Sequence, residues 1–374
     1  MPLLNAIDQP LDAFAVKILD TLENIVNHVQ ILPNFDFSHS SHLPLALEPE
    51  IFGSLQQLSP QLQDKYLRWR LGSYLFSVYE AGSGKTQLEP KPEAVSLPIQ
   101  DEPVQNMTLG VHSAFYESLH TQNVGKGYFD PGWRVLRQEQ DGLFAVQKNG
   151  LTMHVSRERH LQPSENPVAI GNDVAVHLPS NRIEQGCYVA LSNVVPVDPS
   201  QGQIVNVYFN LPSEGFGLLM GALTTALNAL DIPFVLKVPY DAEDCDRLDA
   251  GVLCIYKTHC ATAYPILQTL YQTLKHSFRP EVPLFTKRLA PGLALAEQPI
   301  DVITPQESFS LHRFQAIAQG LIVGWRQNLS PAVTMQSILQ SFTEHHIDLC
   351  HPYLNFGSED CYTLLIYEAD AISS

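Results

Sequence analysis

The apolar residues of the first eighty positions keep a helical period, and the stretch that follows them is rich in Gly, Pro and acidic residues. Leu11, Phe14, Ala15, Ile18, Leu19, Leu22, Ile25, Val26 and Val29 recur every three or four positions, the spacing of one helix face, with Pro10 at a first helical turn. A second helix is predicted from Ser59-Pro60 to about Tyr79, with Leu67, Leu71, Tyr74, Leu75 and Val78 facing inward. Pro33 to Glu48, rich in His, Ser and Pro, reads as the loop between them, and Gly82 to Pro103 reads as a linker. After a further helix at Met107–His120 the period falls to two: Trp133–Val135, Leu143–Val146 and Leu151–Val155 alternate around Asp141-Gly142 and Asn149-Gly150. Those dipeptides suit two-residue hairpins and predict an antiparallel meander.

Strands are expected next at Asp173–Leu178, Cys187–Asn193 and Ile204–Leu211, then a helix at Ser213–Leu230. Strands at Phe234–Val238 and Gly251–Tyr256 follow, then helices at Thr262–Phe278, Ser308–Trp325 and Ala332–His346. No internal repeat is visible. The fold class expected is α+β: a helical N-terminal part, then a mixed or antiparallel sheet with helices packed on it. The length of 374 residues accommodates two units, divided as a helical region over 1–103, with the linker at its end, and an α+β domain over 104–374.

Charge narrows the partners. With 22 Lys and Arg against 39 Asp and Glu, the formal net charge is −17, which disfavours nucleic acid and anionic membranes, since both demand a positive field. No apolar run approaches the ~18 residues of a membrane span, and the N-terminus has no basic region before an apolar run. The six cysteines fall at 187, 245, 254, 260, 350 and 361, without a CxxC pair, as reduced thiols would. A cytoplasmic protein is expected.

Against this acidic background, cations recur in the last third at strand ends and a helix start, which points to a cationic pocket rather than a basic surface. Lys237 closes the apolar run Ile232–Leu236; it either emerges into water or is a partly desolvated amine suited to general-base work. Arg247 stands between Asp246 and Asp249 and could simply pair with them. His312 and Arg313 open a helix, where the helix N-terminus and an Arg fork together suit a phosphate. Gly82-Ser83-Gly84-Lys85-Thr86 suggests a phosphate loop, but Tyr79 replaces the first Gly, a helix precedes it and prolines follow, so it reads as linker. The fourteen histidines make no metal-ligand motif, and Cys254, His259 and Cys260 lack a fourth ligand; neither a metal nor another cofactor is expected.

In order between Ile204 and Tyr362 stand Val207-Tyr208-Phe209-Asn210-Leu211, Pro233–Val238, Asp246-Arg247-Leu248-Asp249-Ala250, Phe285-Thr286-Lys287, Leu289–Glu297, Glu307–Arg313 and His351-Pro352-Tyr353-Leu354-Asn355. Together they resemble the HopA1 family, named for a type III effector and also found as the lyase component of class V lanthipeptide and thioamitide biosynthesis. The resemblance implies a phosphothreonine-lyase-like reaction: metal-independent β-elimination of phosphate from phospho-Ser or phospho-Thr of a peptide, leaving a dehydroamino acid. It implies a phosphorylated precursor peptide and a separate kinase as partners. Such chemistry needs a base at the Cα proton, cations for the enolate and more for the leaving phosphate. Under it Lys237 is the base, Tyr208 or His312 the acid, and Arg247, Lys287, Arg313 and Asn210 hold phosphate and substrate. Asn206 departs from the basic residue usual before the Val-Tyr step, so the alternative is a non-catalytic or effector-like protein that binds a phosphopeptide or leader peptide on the same scaffold.

Overall fold

The structure is a computed structural model and describes residues 13–80, 107–108, 111–163, 168–184, 186–300 and 308–367. The predicted linker and the Gly-Lys-Thr run lie outside these residues. Helix α1 (Ala13–His28) buries Ala15, Ile18, Leu22 and Ile25, one face at helical spacing. A three-stranded sheet follows: β1 (Val29–Ile31), at the end of the stretch predicted as helix, and β2 (Phe37–His39) and β3 (His42–Leu45), where a loop is expected. Strands of three or four residues are too short to show an alternation. After α2 (Pro49–Gln56), α3 (Pro60–Tyr79) begins where expected; Ser59 caps it by accepting from the Leu62 N–H, and Pro60 occupies a position whose N–H would be unsatisfied anyway.

Instead of one helix from 107, the chain forms short strands β4 (Met107–Thr108) and β5 (Val111–His112) before α4 (Ser113–Gln122). The meander is present: β6 (Tyr128–Gln138), β7 (Phe144–Lys148) and β8 (Leu151–Val155) pair antiparallel. Asn149 and Gly150 both have positive φ, 50° and 81°, as a two-residue hairpin requires. After α5 (Arg157–His160), β9 (Asp173–Leu178) joins the free side of β6, and Trp133, Val135, Phe144, Val146, Val155 and Val176 form the core of this four-stranded sheet.

The central element is a seven-stranded sheet of β10 (Asn181–Glu184), β11 (Cys187–Leu191), β12 (Ile204–Phe209), β13 (Phe234–Pro239), β14 (Gly251–Tyr256), β15 (Lys287–Ala290) and β16 (Leu293–Glu297), in the order β10-β11-β13-β14-β12-β16-β15. Every pairing in it is antiparallel. One face, with Tyr188, Leu236, Leu253 and Val207, packs against α4 and against α6 (Ser213–Ala229) and α7 (Cys260–Leu274). The other face is shared. Val189, Leu191 and Val235 pack with Tyr128 of β6, while Tyr208 meets Phe309 at the start of α8 (Phe309–Arg326), with ring centres 6.5 Å apart. All residues of β12 and β16 are buried, which erases any alternation in the sequence.

Helix α8 lies between α3 and α9 (Pro331–Glu344) and buries residues on all sides. Its glycines permit that closeness: a Cβ on Gly320 would stand 2.5 Å from Ile338 Cα, and one on Gly324 would stand 2.4 Å from Thr334 Oγ1. Gly320→Ala therefore pushes α8 and α9 apart at backbone level. The overpacking cost of about 1–3 kcal/mol exceeds the about 1 kcal/mol gained in helix propensity. A thermal melt should show a lowered Tm; an unchanged or raised Tm would contradict this packing.

Candidate functional site

Residues directly paired across strands share a face of the sheet. Arg182, Val189, Lys237, Val252, Tyr208 and Ala294 therefore form one row across six strands, on the face opposite α6 and α7. Lys237 and Tyr208 flank Val252, so their Cα atoms are about 10 Å apart by strand spacing. Lys237 sits inside β13 rather than at its end, and its side chain is 42% exposed. Its Nζ lies 3.3 Å from the Glu184 carboxylate, which also pairs with Arg182. Lys237 thus reaches from the third strand of the sheet to its edge strand.

At the other end of the row the surroundings are acidic and dry. Glu80, the C-cap of α3, is 1% exposed and accepts from the Ser310 hydroxyl at the start of α8, while its Oε2 has no partner among the described residues. Burial, and then the charge of Asp249, push its carboxyl up to about 8, so it is largely protonated at neutral pH. Tyr208 is 5% exposed, and burial, with Glu80 and Asp249 nearby, raises its phenol well above the ordinary value. It therefore keeps its proton, as a hydrogen-bond donor or acid must. Arg247 grips Asp249 with two bonds of 2.9 Å and lies 5.5 Å over the Phe76 ring. This is the pairing allowed for in the sequence, with Asp246 going instead to Arg279 at 2.7 Å.

Four other sequence-derived residues lie elsewhere; Arg313, His312 and Lys287 serve the segment after α9, and Asn210 a loop before β15. Arg313 is 2% exposed; its guanidinium donates to Pro352 O at 3.1 and 2.8 Å and approaches His312 Nδ1 at 2.9 Å. His312 is buried too, against the His345 ring. Lys287 pairs with Asp360 at 2.7 Å and donates to Tyr362 O at 2.8 Å. Asn210 donates to Glu281 O at 3.1 Å. These contacts hold loops and a chain segment, and none of the four shares the row of Lys237 and Tyr208. Asn206 does lie on that face, one row away, where its amide donates to Gln298 Oε1 at 2.6 Å. It is 5% exposed, so a guanidinium there would be buried.

Sequence reasoning passed over Glu80, Glu184 and Ser310. Glu80 did carry a signal: an acid at a helix C-terminus faces the negative end of the helix dipole and needs a reason to be there. Glu184 and Ser310 gave none. Among the described residues no group of three His, Cys, Asp or Glu side chains is arranged to hold a metal ion. None of the six cysteines is in a disulfide, and no described helix is long and apolar enough to cross a membrane.

Glu80 makes stability depend on pH in a defined direction. Its folded value, about 8, lies above the ordinary 4.5, so the folded state holds a proton that the unfolded state has released. That contribution is complete below about 4.5 and is lost as pH rises through about 8. Glu80→Gln keeps a neutral side chain and removes the dependence. Urea unfolding of both proteins across this range should show the wild type losing ground to the variant as pH rises; a constant difference would mean that Glu80 is ionised in the fold.

Residues 178–354 match the model of the HopA1 effector protein family. Comparison with curated proteins found no match. Among solved structures, the effector protein from Pseudomonas syringae pv. tomato strain DC3000 aligns at 18% identity and a TM-score of 0.36, covering 46% of this chain and 63% of that one. The effector protein from Pseudomonas syringae pv. syringae strain 61 aligns at 13% identity and a TM-score of 0.40, covering 79% and 98%. Neither superposition is close enough to transfer a residue. The matched segment begins just before β10 and ends after α9, so the match to the HopA1 family model spans the seven-stranded sheet and helices α6 to α9.

Proposed function

We propose that this protein is a phosphopeptide lyase that removes phosphate from phospho-Ser or phospho-Thr by β-elimination. The observation that carries the reading is the row that puts the amine of Lys237 and the phenol of Tyr208 on one face of the sheet, either side of Val252. Lys237, once released from Glu184 and after passing its own proton to solvent, takes the Cα proton; the electron pair left behind forms the Cα–Cβ double bond as the Cβ–O bond breaks. The phosphate departs with the bonding electrons and can receive the Tyr208 proton. Tyr208 is favoured over His312 because His312 is turned to Arg313 and His345. Arg247 is the cation of the original set that remains near the row, and the substrate peptide would come phosphorylated from a separate kinase.

One observation favours a second reading, in which the same face binds a phosphopeptide or leader peptide without chemistry. Lys237 and Arg247 each already hold a carboxylate, and Phe309 lies against the Tyr208 ring. Incubation with phosphothreonine and phosphoserine peptides, without metal or nucleotide, separates the two. A lyase yields a peptide that has lost phosphoric acid and traps a thiol, and Lys237→Ala should slow this by roughly 10²–10⁴-fold while the fold is kept. Binding without product, in the wild type and in every variant, would establish the second reading instead.

A further inference from the structure

The seven-stranded sheet has two edges, and the chain covers one of them. At β15 the Leu365 N–H donates to Leu289 O at 3.1 Å and Lys287 holds Tyr362 O, so the segment after α9 lies along that edge. At β10 the ladder to β11 is the pairing formed, and among the described residues no backbone group bonds to its outer side. The phase of that ladder is fixed. Leu191 N donates to Ser180 O at 2.8 Å, so in an antiparallel pair the residues two and four further on, Arg182 and Glu184, also bond inward. Asn181 and Ile183 then direct their N–H and C=O groups outward, where Ile183 is 54% exposed. Such an edge is a template for another strand.

The side chains on this edge point to the kind of chain it takes. Arg182 and Lys237 both pair with Glu184, so one carboxylate sits between two cations at the rim of the sheet. A carboxylate held in that way marks a place for an anion, and a phosphate offers more charge and more acceptor oxygens than the group now there. A strand added beside β10 lies about 4.8 Å from it, within reach of the cations around Glu184.

We propose that the outer edge of β10 takes an extended phosphorylated peptide as an eighth strand, with its phosphate replacing the Glu184 carboxylate between Arg182 and Lys237. This deepens the phosphopeptide reading by naming where the peptide docks, and it rests on that reading for the choice of a phosphopeptide; Lys237 and Val252 lie between this rim position and Tyr208, so the phosphate is docked here and not yet placed for elimination. In this docked state Lys237 pairs with the phosphate in place of Glu184.

The probe is a fluorescein-labelled phosphothreonine peptide and its unphosphorylated twin, followed by anisotropy, with peptide mass read from the same samples. Glu184→Gln removes the internal competitor and should tighten phosphopeptide binding several-fold without changing that of the twin. Ile183→Pro deletes an outward N–H and leaves the inward ladder intact, a substitution that edge strands accept; it should weaken binding at least tenfold. Should that variant misfold by circular dichroism, the phosphopeptide N-methylated at alternate backbone positions tests the same bonds against the wild-type protein. Binding that ignores both Ile183→Pro and N-methylation overturns the docking site, even where phosphate is eliminated. Edge-dependent binding with no mass change keeps the docking site and overturns the lyase. No phosphate-dependent binding by the wild type or Glu184→Gln overturns both.

Discussion

The structure depends on a sheet whose middle is buried on both faces. Strands β12 and β16 have no solvent-facing side, so any polar atom there must find a partner or lose its charge. Buried carboxylates on and around these strands are handled in two ways. Glu297, 0% exposed, accepts from Lys257, Ser358 and Tyr362 on one oxygen and from Gln203 and the Asn355 N–H on the other, at 2.7–2.8 Å. Three of those five partners, Asn355, Ser358 and Tyr362, belong to the segment after α9, so a buried charge becomes the anchor that fastens this segment over the sheet. Glu80 has the Ser310 hydroxyl and the Leu284 N–H as donors but no cation bonded to it, and burial keeps it protonated instead. A satisfied carboxylate fixes structure; one that can release a proton near neutral pH retains a chemical option.

The same anchoring explains why conspicuous cations proved structural. Arg313 and Lys287 bind backbone carbonyls at Pro352 and Tyr362, so the motifs around residues 287, 313 and 351–355 are joined as parts of one fastening. In the sequence they were legible as belonging together, because a cluster of ordered segments is a signature of one family whatever its cause. Their role was not legible. An Arg on the first turn of a helix reads the same whether it faces a phosphate or a carbonyl, and burial decides between them.

Elements held by local chemistry were read well. The Ser59-Pro60 start of α3, the Asn149-Gly150 hairpin and the Ser308 cap of α8 each follow from one or two residues and their neighbours. Elements whose pattern is set by what covers them were not. Strand β16 was missed because two-sided burial removes alternation, and β1–β3, β10 and β15 because three or four residues cannot display a period. The candidate site divides along the same line. Lys237, Tyr208 and Arg247 stand out by residue type within apolar or family-like runs, whereas Glu80, Glu184 and Ser310 acquire meaning only from partners that are 53 to 230 positions away.

Charge balance on the open face bears on both functional readings. A chain with a net charge of −17 can offer an anion a favourable place only where cations are concentrated, and here Lys237, Arg182 and Arg247 each hold a carboxylate. The pairing offsets the cost of crowded like charges. It also sets a threshold for anions, which must outcompete Glu184 for these cations. A singly charged carboxylate gains little by the exchange. A phosphate with nearly twice the charge and three terminal oxygens gains more, so under the proposed docking the internal carboxylate would act as a filter against ordinary acidic peptides. Under that proposal selectivity would come from the anion already in place between Arg182 and Lys237.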